Sequence, residues 1–371
     1  MEQPRTMLAE QRTIMSRALE LARRGHYTTS PNPRVGCVIE RNGKILGEGW
    51  HQWAGKGHAE VNALADAASK GNDVKGATVY VTLEPCSHHG LTGPCAEALV
   101  SAQVGKVIYG MADPNPKVSG RGLKRLRDAG IEVEGPLLES EAELLNPGFC
   151  KRMRSRLPRV TVKLAMSLDG RTAMASGESQ WITGAEARKD VQRLRAGSCA
   201  IVTGIGTVLS DDPAMTVRSH ELAADRNGIS TLRQPLKVVV DSRGQLPEGA
   251  KIRNQPGELL LVTAGVDVAG VDTIQLPGEK GQVDLLKLLT HLAERQCNEV
   301  LIEAGAELAG AFVEAGLVDQ LVIYMAPTLL GSAARPLLTL PFNTMAEQRR
   351  LKIMDIRTVG DDLRITAVPQ K

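Results

Sequence analysis

His58-Ala59-Glu60, read together with Pro85-Cys86 and Pro94-Cys95, is the stretch on which the reading of this chain turns. One imidazole and two thiols are three ligands for a borderline metal, one short of a closed structural zinc site. Catalytic zinc keeps its remaining position for water and lowers the pKa of that water toward neutrality. A glutamate two residues past the histidine, free of the metal, can carry a proton from the water to a leaving amine. Singly, His58 reads as a helix-capping residue and each cysteine as an ordinary buried thiol. It is the co-occurrence of all three with Glu60 and both prolines that favours a hydrolytic metal site.

H-x-E followed by P-C and a second cysteine is the pattern of zinc-dependent base deaminases. Two residues usually separate the cysteines; here eight intervene, Ser87 to Pro94. The longer loop, with His88 and His89, would form part of the substrate pocket. Outward from this motif, Met15, Ala18, Leu19 and Ala22 have the spacing of a buried helix face ended by Gly25. Ser30-Pro31-Asn32-Pro33 is a rigid turn leading into the strand Val35–Ile39, and Arg41–Lys44 is a hairpin turn returning through Ile45–Trp50. Glu60–Ser69 and Cys95–Gln103 read as helices, so two helix N-termini meet the metal and favour thiolate there. Ala77–Leu83, Lys106–Met111 and Ile131–Glu134 read as strands, with a helix over Gly122–Ala129 and one continuous helix over Glu139–Ser155. Asn32 reads equally well as a turn former and as a hydrogen-bond reader of a flat heterocycle, and His51 is open in the same way.

The 371 residues exceed what one hydrophobic core supports, so two domains are expected. A net charge of +3 gives no general reason to bind nucleic acid. Six irregularly spaced cysteines do not form a secreted disulfide framework, and no stretch is apolar enough to span a bilayer. Composition is that of an ordinary soluble globular protein, expected in the cytoplasm, with neither nucleic acid nor membrane expected as partner.

Thr29-Ser30-Pro31-Asn32-Pro33, the His58–Glu60 motif, Leu83-Glu84-Pro85-Cys86-Ser87-His88-His89-Gly90, Asp113-Pro114-Asn115-Pro116 and Gly120-Arg121-Gly122 together resemble the deaminase half of the bifunctional riboflavin-biosynthesis deaminase/reductase family. The eight-residue spacer is normal in that family. The resemblance implies zinc on His58, Cys86 and Cys95, with Glu60 as the catalytic proton shuttle. It implies contacts from Asn32, His51, His88, Asp113 and Asn115 to the pyrimidine and its ribosyl phosphate.

Past the basic run Lys151–Arg159, which reads as a solvated linker, the strand Arg159–Met166 opens a second α/β pattern. Ala200–Thr203, Leu236–Val240, Leu259–Val262, Val300–Ile302 and Leu321–Tyr324 read as buried strands; Gly184–Ala196, Asp284–Gln296 and Glu307–Ala315 read as helices. Glu303–Gly310 follows a strand and opens a helix, where small residues let backbone N–H groups approach a pyrophosphate. It is not the G-x-G-x-x-G fingerprint, so a Rossmann domain is unsupported. Lys163-Leu164, Ser167–Ala173, Gly177–Thr183 and Asp211-Asp212-Pro213 resemble the reductase half of the same family, which is similar to dihydrofolate reductase and uses NADPH. That resemblance implies cofactor contacts at Ala165, Trp181, Thr207, Asp211, Ser242 and the run Gly305, Ala306, Glu307, Leu308, Ala309, Gly310, Ala311. It implies substrate contacts at Lys163, Ser179, Arg195, Arg218 and Glu303, and a packing contact at Met215.

The expected architecture is therefore a cytidine-deaminase-like three-layer α/β/α domain over 1–156 and a dihydrofolate-reductase-like α/β domain over 157–371. The expected function is hydrolytic deamination of a phosphoribosylated diaminopyrimidinone followed by NADPH reduction of its ribosyl group, in a homo-oligomer paired through the reductase domain. Asp211 and Lys163 are both candidates to protonate the ribose oxygen. Two other readings stand beside this one: a deaminase of free bases or of tRNA, and a non-catalytic zinc protein with His88 or His89 as fourth ligand.

Overall fold

In the first half of the chain, period-two alternation along the strands feeds two separate cores. The computed structural model describes residues 3–87, 93–116, 118–179, 181–225 and 232–370. It divides into two units, Met1–Arg156 and Leu157–Lys371. The first runs α1 (Gln3–Arg23), β1 (Gly36–Arg41), β2 (Lys44–Trp50), α2 (Ala59–Ser69), β3 (Thr78–Leu83), α3 (Cys95–Ser101), β4 (Lys106–Met111), α4 (Arg121–Asp128), β5 (Glu132–Glu134), α5 (Glu139–Leu145) and α6 (Pro147–Ser155). Its sheet has the order β2-β1-β3-β4-β5, antiparallel around β1 and parallel from β3 to β5. Cys37, Ile39, Val79, Val81 and Val107 pack on one face with residues of α2, α3 and α4. Val38, Tyr80 and Ile108 pack on the other with residues of α1, α5 and α6. The unit is a three-layer α/β/α sandwich.

The single helix expected over Glu139–Ser155 is two. Asn146 leaves helical geometry (φ −128°, ψ 45°) because Pro147 lacks an N–H and crowds the residue before it. The break frees the Asn146 amide to accept from Arg34 N at 2.7 Å and donate to Arg34 O at 2.8 Å, which anchors the entry to β1. Lys151–Ser155 of the basic run belongs to α6 rather than to a linker, with Arg154 paired to Glu143.

Glycines let the helices press onto the strand backbone. A Cβ on Gly36 would lie 1.9 Å from Ala18 O of α1, and one on Gly49 would lie 2.3 Å from Ala63 N of α2. The second approach matters most for the site, because α2 carries His58 and Glu60 at its N-terminus.

The second unit comprises β6 (Arg159–Ser167), β7 (Arg171–Ala173), α7 (Ala185–Gly197), β8 (Ala200–Gly204), α8 (Ile205–Asp211), β9 (Leu236–Val240), β10 (Leu259–Thr263), β11 (Asp272–Gln275), α9 (Leu285–Glu294), β12 (Glu299–Ile302), α10 (Ala306–Glu314), β13 (Gln320–Ala326), β14 (Arg335–Pro336), β15 (Leu351–Val359) and β16 (Asp362–Pro369). Nine strands form one sheet, β11-β10-β9-β8-β12-β6-β13-β16-β15, parallel from β11 to β13 and antiparallel through the final hairpin. Val160, Val162, Val202, Val238, Val262 and Ile302 bury one face beneath α9 and α10. Ile201, Val239, Leu261 and Leu301 bury the other. Runs apolar on both faces are what parallel strands between helix layers require. Among the described residues, no helix is long and apolar enough to cross a membrane.

Gly49→Ala is expected to destabilise the first unit by about 1–3 kcal/mol, since the added methyl must push α2 off β2. A lower urea midpoint for that unit's transition, with the second unit's transition unmoved, checks it.

Candidate active sites

Both cysteines and His58 leave the ends of regular elements. His58 is the N-cap of α2 and Cys95 the first residue of α3, whose N-cap is Pro94, while Cys86 follows β3 by three residues. The donor atoms of the three lie within 4.8 Å of one another. His58 Nδ1 stands 3.2 Å from Cys95 Sγ and 3.6 Å from Cys86 Sγ. Zinc bonds of about 2.0 Å to nitrogen and 2.3 Å to sulfur at tetrahedral angles place an N and an S about 3.5 Å apart, so the donor set fits zinc in type and spacing. Cys95 N–H donates to Cys86 Sγ at 3.4 Å.

Electrostatics mark the same cluster. Hydrogen bonding from Cys95, then from His58, holds the Cys86 thiol down at about 4, against the pull of burial. Cys95 is driven well above its ordinary value, by its hydrogen bond to Cys86 and by burial. Glu60, 3% exposed, is pushed up to about 7 by burial and then by the Cys86 charge. A carboxyl held near neutrality beside a metal triad suits a group that accepts and returns a proton.

His51 is buried, its ring edge-on to His58 with centroids 5.2 Å apart. Burial lowers its pKa. His51 Nδ1 lies 3.1 Å from the Gly57 carbonyl, and its Nε2 lies 3.1 Å from Asn32 Nδ2. A neutral ring donating to Gly57 accepts from Asn32, which fixes the Asn32 amide with its nitrogen toward His51. Asp113 is buried, and its Oδ1 accepts the Asn115 N–H at 2.8 Å. His88 and His89 lie outside the described residues.

In the second unit, Arg195 Nε and Nη2 donate to both oxygens of Glu303 at 2.7 and 3.0 Å, and Nη1 donates to Thr216 O at 3.0 Å. Burial raises Glu303, but Arg195 and Lys163 more than offset it and hold the carboxylate below its ordinary range. Lys163 is itself lowered, chiefly by burial. The three converge because Val162 of β6 pairs with Ile302 of β12, one residue before Lys163 and Glu303 respectively. Arg218 is exposed and paired to Glu221, while Met215 is buried in the core against β8 and β9.

Gly204-Ile205-Gly206-Thr207 starts α8, an element the sequence reading did not include. Thr207 Oγ1 accepts the Gly305 N–H at 3.2 Å, so the N-termini of α8 and α10 stand side by side. Within Gly305–Ala311 the expected cofactor contacts divide. Ala309 is fully buried, and a Cβ on Gly310 would lie 2.1 Å from Thr339 O, so these two serve packing. Gly305 and Glu307 are exposed; Ala306, Leu308 and Ala311 are half-buried. Ala165, Ser179 and Ser242 are half-buried, whereas Asp211 and Trp181 are exposed, with the Arg188 guanidinium 4.4 Å above the Trp181 ring.

Comparison with known proteins bears on both units. A profile of the cytidine and deoxycytidylate deaminase zinc-binding region matches residues 8–111, and one of the RibD C-terminal domain matches 158–365. The Escherichia coli riboflavin biosynthesis protein RibD is 53% identical over 357 residues, covering 94% of this chain and 96% of that protein. The chain belongs to the RibD family. Haemophilus influenzae RibD is 48% identical over 96% of this chain and 97% of its own. The Acinetobacter baumannii RibD structure superposes with a TM-score of 0.90 at 46% identity, covering 98% of this chain and 100% of that one. A Thermotoga maritima structure, a diaminohydroxyphosphoribosylaminopyrimidine deaminase/5-amino-6-(5-phosphoribosylamino)uracil reductase, gives 0.87 at 30% identity, covering 98% and 100%. As a RibD family member the chain is a bifunctional enzyme of riboflavin biosynthesis, with a cytidine-deaminase-like N-terminal fold and a reductase C-terminal fold. Its cofactors are zinc and NADPH.

Two residues that the sequence reading left without a role shape the deaminase site. Asn62 donates to the carbonyls of Trp50 (2.8 Å) and Gly57 (3.0 Å), closing the loop that carries His51. Glu84 is buried with backbone amides as partners. A glutamate directly before P-C carries a hint of this, since a strand end is an unusual place to bury a carboxylate.

Cys86→Ala is expected to weaken zinc binding by more than about 100-fold, beyond the loss typical of ligand-orienting partners. Glu60→Gln is expected to leave it intact. Metal analysis after gel filtration against a competing chelator checks both.

Proposed function

We propose that this chain deaminates the phosphoribosylated diaminopyrimidinone named for its Thermotoga maritima relative, and then reduces the ribosyl group of the product to ribityl phosphate. Residues 1–156 perform the first step and 157–371 the second, in the cytoplasm. The reading is carried by one observation: three metal-ligand atoms within 4.8 Å of one another, with a buried carboxyl of raised pKa beside them.

His58, Cys86 and Cys95 would hold the zinc, which when bound would make water acidic enough to supply a nucleophile near neutral pH. Glu60 is placed to accept a proton from the attacking water and to return it to the departing amine nitrogen. Asn32, kept in one orientation by His51, offers its carbonyl oxygen to a substrate N–H. Asp113 and Asn115 receive the polar groups of the pyrimidine and its ribosyl phosphate, and His88 is assigned to the same pocket.

NADPH, when bound, supplies hydride to the opened ribosyl carbon. Thr207 and Gly305–Leu308 form its cradle, where two helix N-termini favour pyrophosphate. Ala165, Trp181, Asp211, Ser242 and Ala311 border it. Lys163, whose acidity burial increases, protonates the ribose oxygen; Asp211 lies exposed at the far end of α8 and is the weaker candidate. Arg195 serves by fixing Glu303, and the exposed Arg218, with Ser179, is left to meet the substrate phosphate.

We assign homo-oligomerisation to the edge of the second sheet. Among the described residues β15 has only β16 as a sheet neighbour, yet Leu351, Ile353, Met354 and Ile356 are 40–56% exposed along it. A long apolar edge strand is a template for pairing with another chain. A second copy supplies the matching strand.

Glu60→Gln is expected to slow ammonia release by about 10²–10⁴-fold while NADPH oxidation with the deaminated compound persists. Mass analysis of products, with and without NADPH, checks it; equal loss of both activities would rule out independent sites. Ile353→Lys with Ile356→Lys is expected to shift the chain to monomer in sedimentation analysis.

A further inference from the structure

Glu84 closes β3 two residues before Cys86 and is 3% exposed. Its Oε2 accepts N–H bonds from Asp113 at 3.2 Å and Gly120 at 3.0 Å, and its Oε1 accepts from Gly122 at 3.2 Å. Its own N–H donates to Met111 O at 2.9 Å. Both carboxyl oxygens thus accept backbone N–H bonds, all of them from the single segment Asp113–Gly122. Beyond β4 the chain leaves the sheet, so no strand ladder dictates where Asp113 and Asn115 go. Glu84 does so instead, gripping that loop at its start and at its return.

The return is also a close approach. A Cβ on Gly122 would lie 1.8 Å from the Pro85 carbonyl oxygen, so the loop's end rests on the backbone next to the metal ligand. Inside the loop, the bond from Asn115 N–H to Asp113 Oδ1 fixes the two residues relative to each other. One buried side chain therefore links the segment that delivers Cys86 with the segment that delivers Asp113 and Asn115.

We propose that Glu84 is a positioning residue for deamination: it sets the substrate-gripping loop at a fixed distance from the metal ligands, so that a pyrimidine held by the loop has its amine-bearing carbon over the metal. This rests on the deaminase reading above. The carboxylate touches neither substrate nor metal in this role and acts through Asp113 and Asn115.

The test is Glu84→Gln in the full-length zinc-loaded enzyme. Glutamine keeps the size but turns an amide N–H toward donors that need an acceptor. The KM for the phosphoribosylated diaminopyrimidinone is expected to rise about tenfold or more with kcat within about threefold, the pattern of lost binding rather than lost chemistry. Zinc content, and reduction of the deaminated compound by the same preparation, are expected to stay unchanged. A cycle with Asn115→Ala separates positioning from scaffolding, because residues acting as one unit give non-additive effects. The double variant's KM is expected to fall well short of the product of the single effects. Should Glu84→Gln prevent folding of the first unit, Gly122→Ala displaces the same loop and must produce the same KM-specific defect. An unmoved KM, full multiplication in the cycle, or zinc loss overturns the proposal while the deaminase reading stands. A wild-type enzyme that releases no ammonia from this substrate overturns both.

Discussion

Two sulfurs, an imidazole and a carboxyl share one buried space in the first unit, and they cannot all take their ionised forms without a cation. The strain is visible in opposed directions. Cys86 is pulled toward thiolate, and its charge then helps to push Cys95 and Glu60 the other way. A divalent ion bound there would neutralise both thiolates at once and so couple metal binding to the state of Glu60. The rest of that unit can be read as a frame for this cluster. Glycine contacts seat α2 on β2, and the β3 end presents Cys86 to the helix that begins at Cys95.

The second unit solves a different electrostatic problem with opposed side chains. Glu303 stays charged in the interior only because Arg195 grips both of its oxygens and Lys163 lies nearby. Removing one partner of such a buried pair typically costs about 3–5 kcal/mol, because a lone charge remains. The second unit therefore holds a compensated charge cluster in its sheet, and the first an uncompensated one that a metal ion would complete.

Much of this was legible in the residue order. β4 and β9 have the bounds that their apolar runs indicate, and the type and spacing of His58, Cys86 and Cys95 picked out three candidate ligands whose donor atoms lie within 4.8 Å of one another. What escaped was set by partners distant in sequence. Continuous helical character over Glu139–Ser155 hid the break at Asn146, whose side chain is needed by Arg34 more than a hundred positions earlier. α8 begins in glycine-rich sequence that reads as loop, and its place depends on Thr207 meeting Gly305. The small residues of Gly305–Ala311 looked uniform, yet Gly310 has a reason of its own to be small, the carbonyl of Thr339. Glu84 showed only as a motif letter, because its partners arrive from beyond the next strand.

The exposed course of β15 has a consequence for handling the molecule. Paired on one side among the described residues and exposed along Leu351–Thr358, with Val359 alone packed towards α7, this strand should exchange its amide protons early and fray before the sheet's centre does. A frayed apolar edge seeks any other edge, so warming that loosens this strand would invite open-ended stacking rather than simple unfolding. Shelf life would then be limited by a surface remote from either catalytic centre.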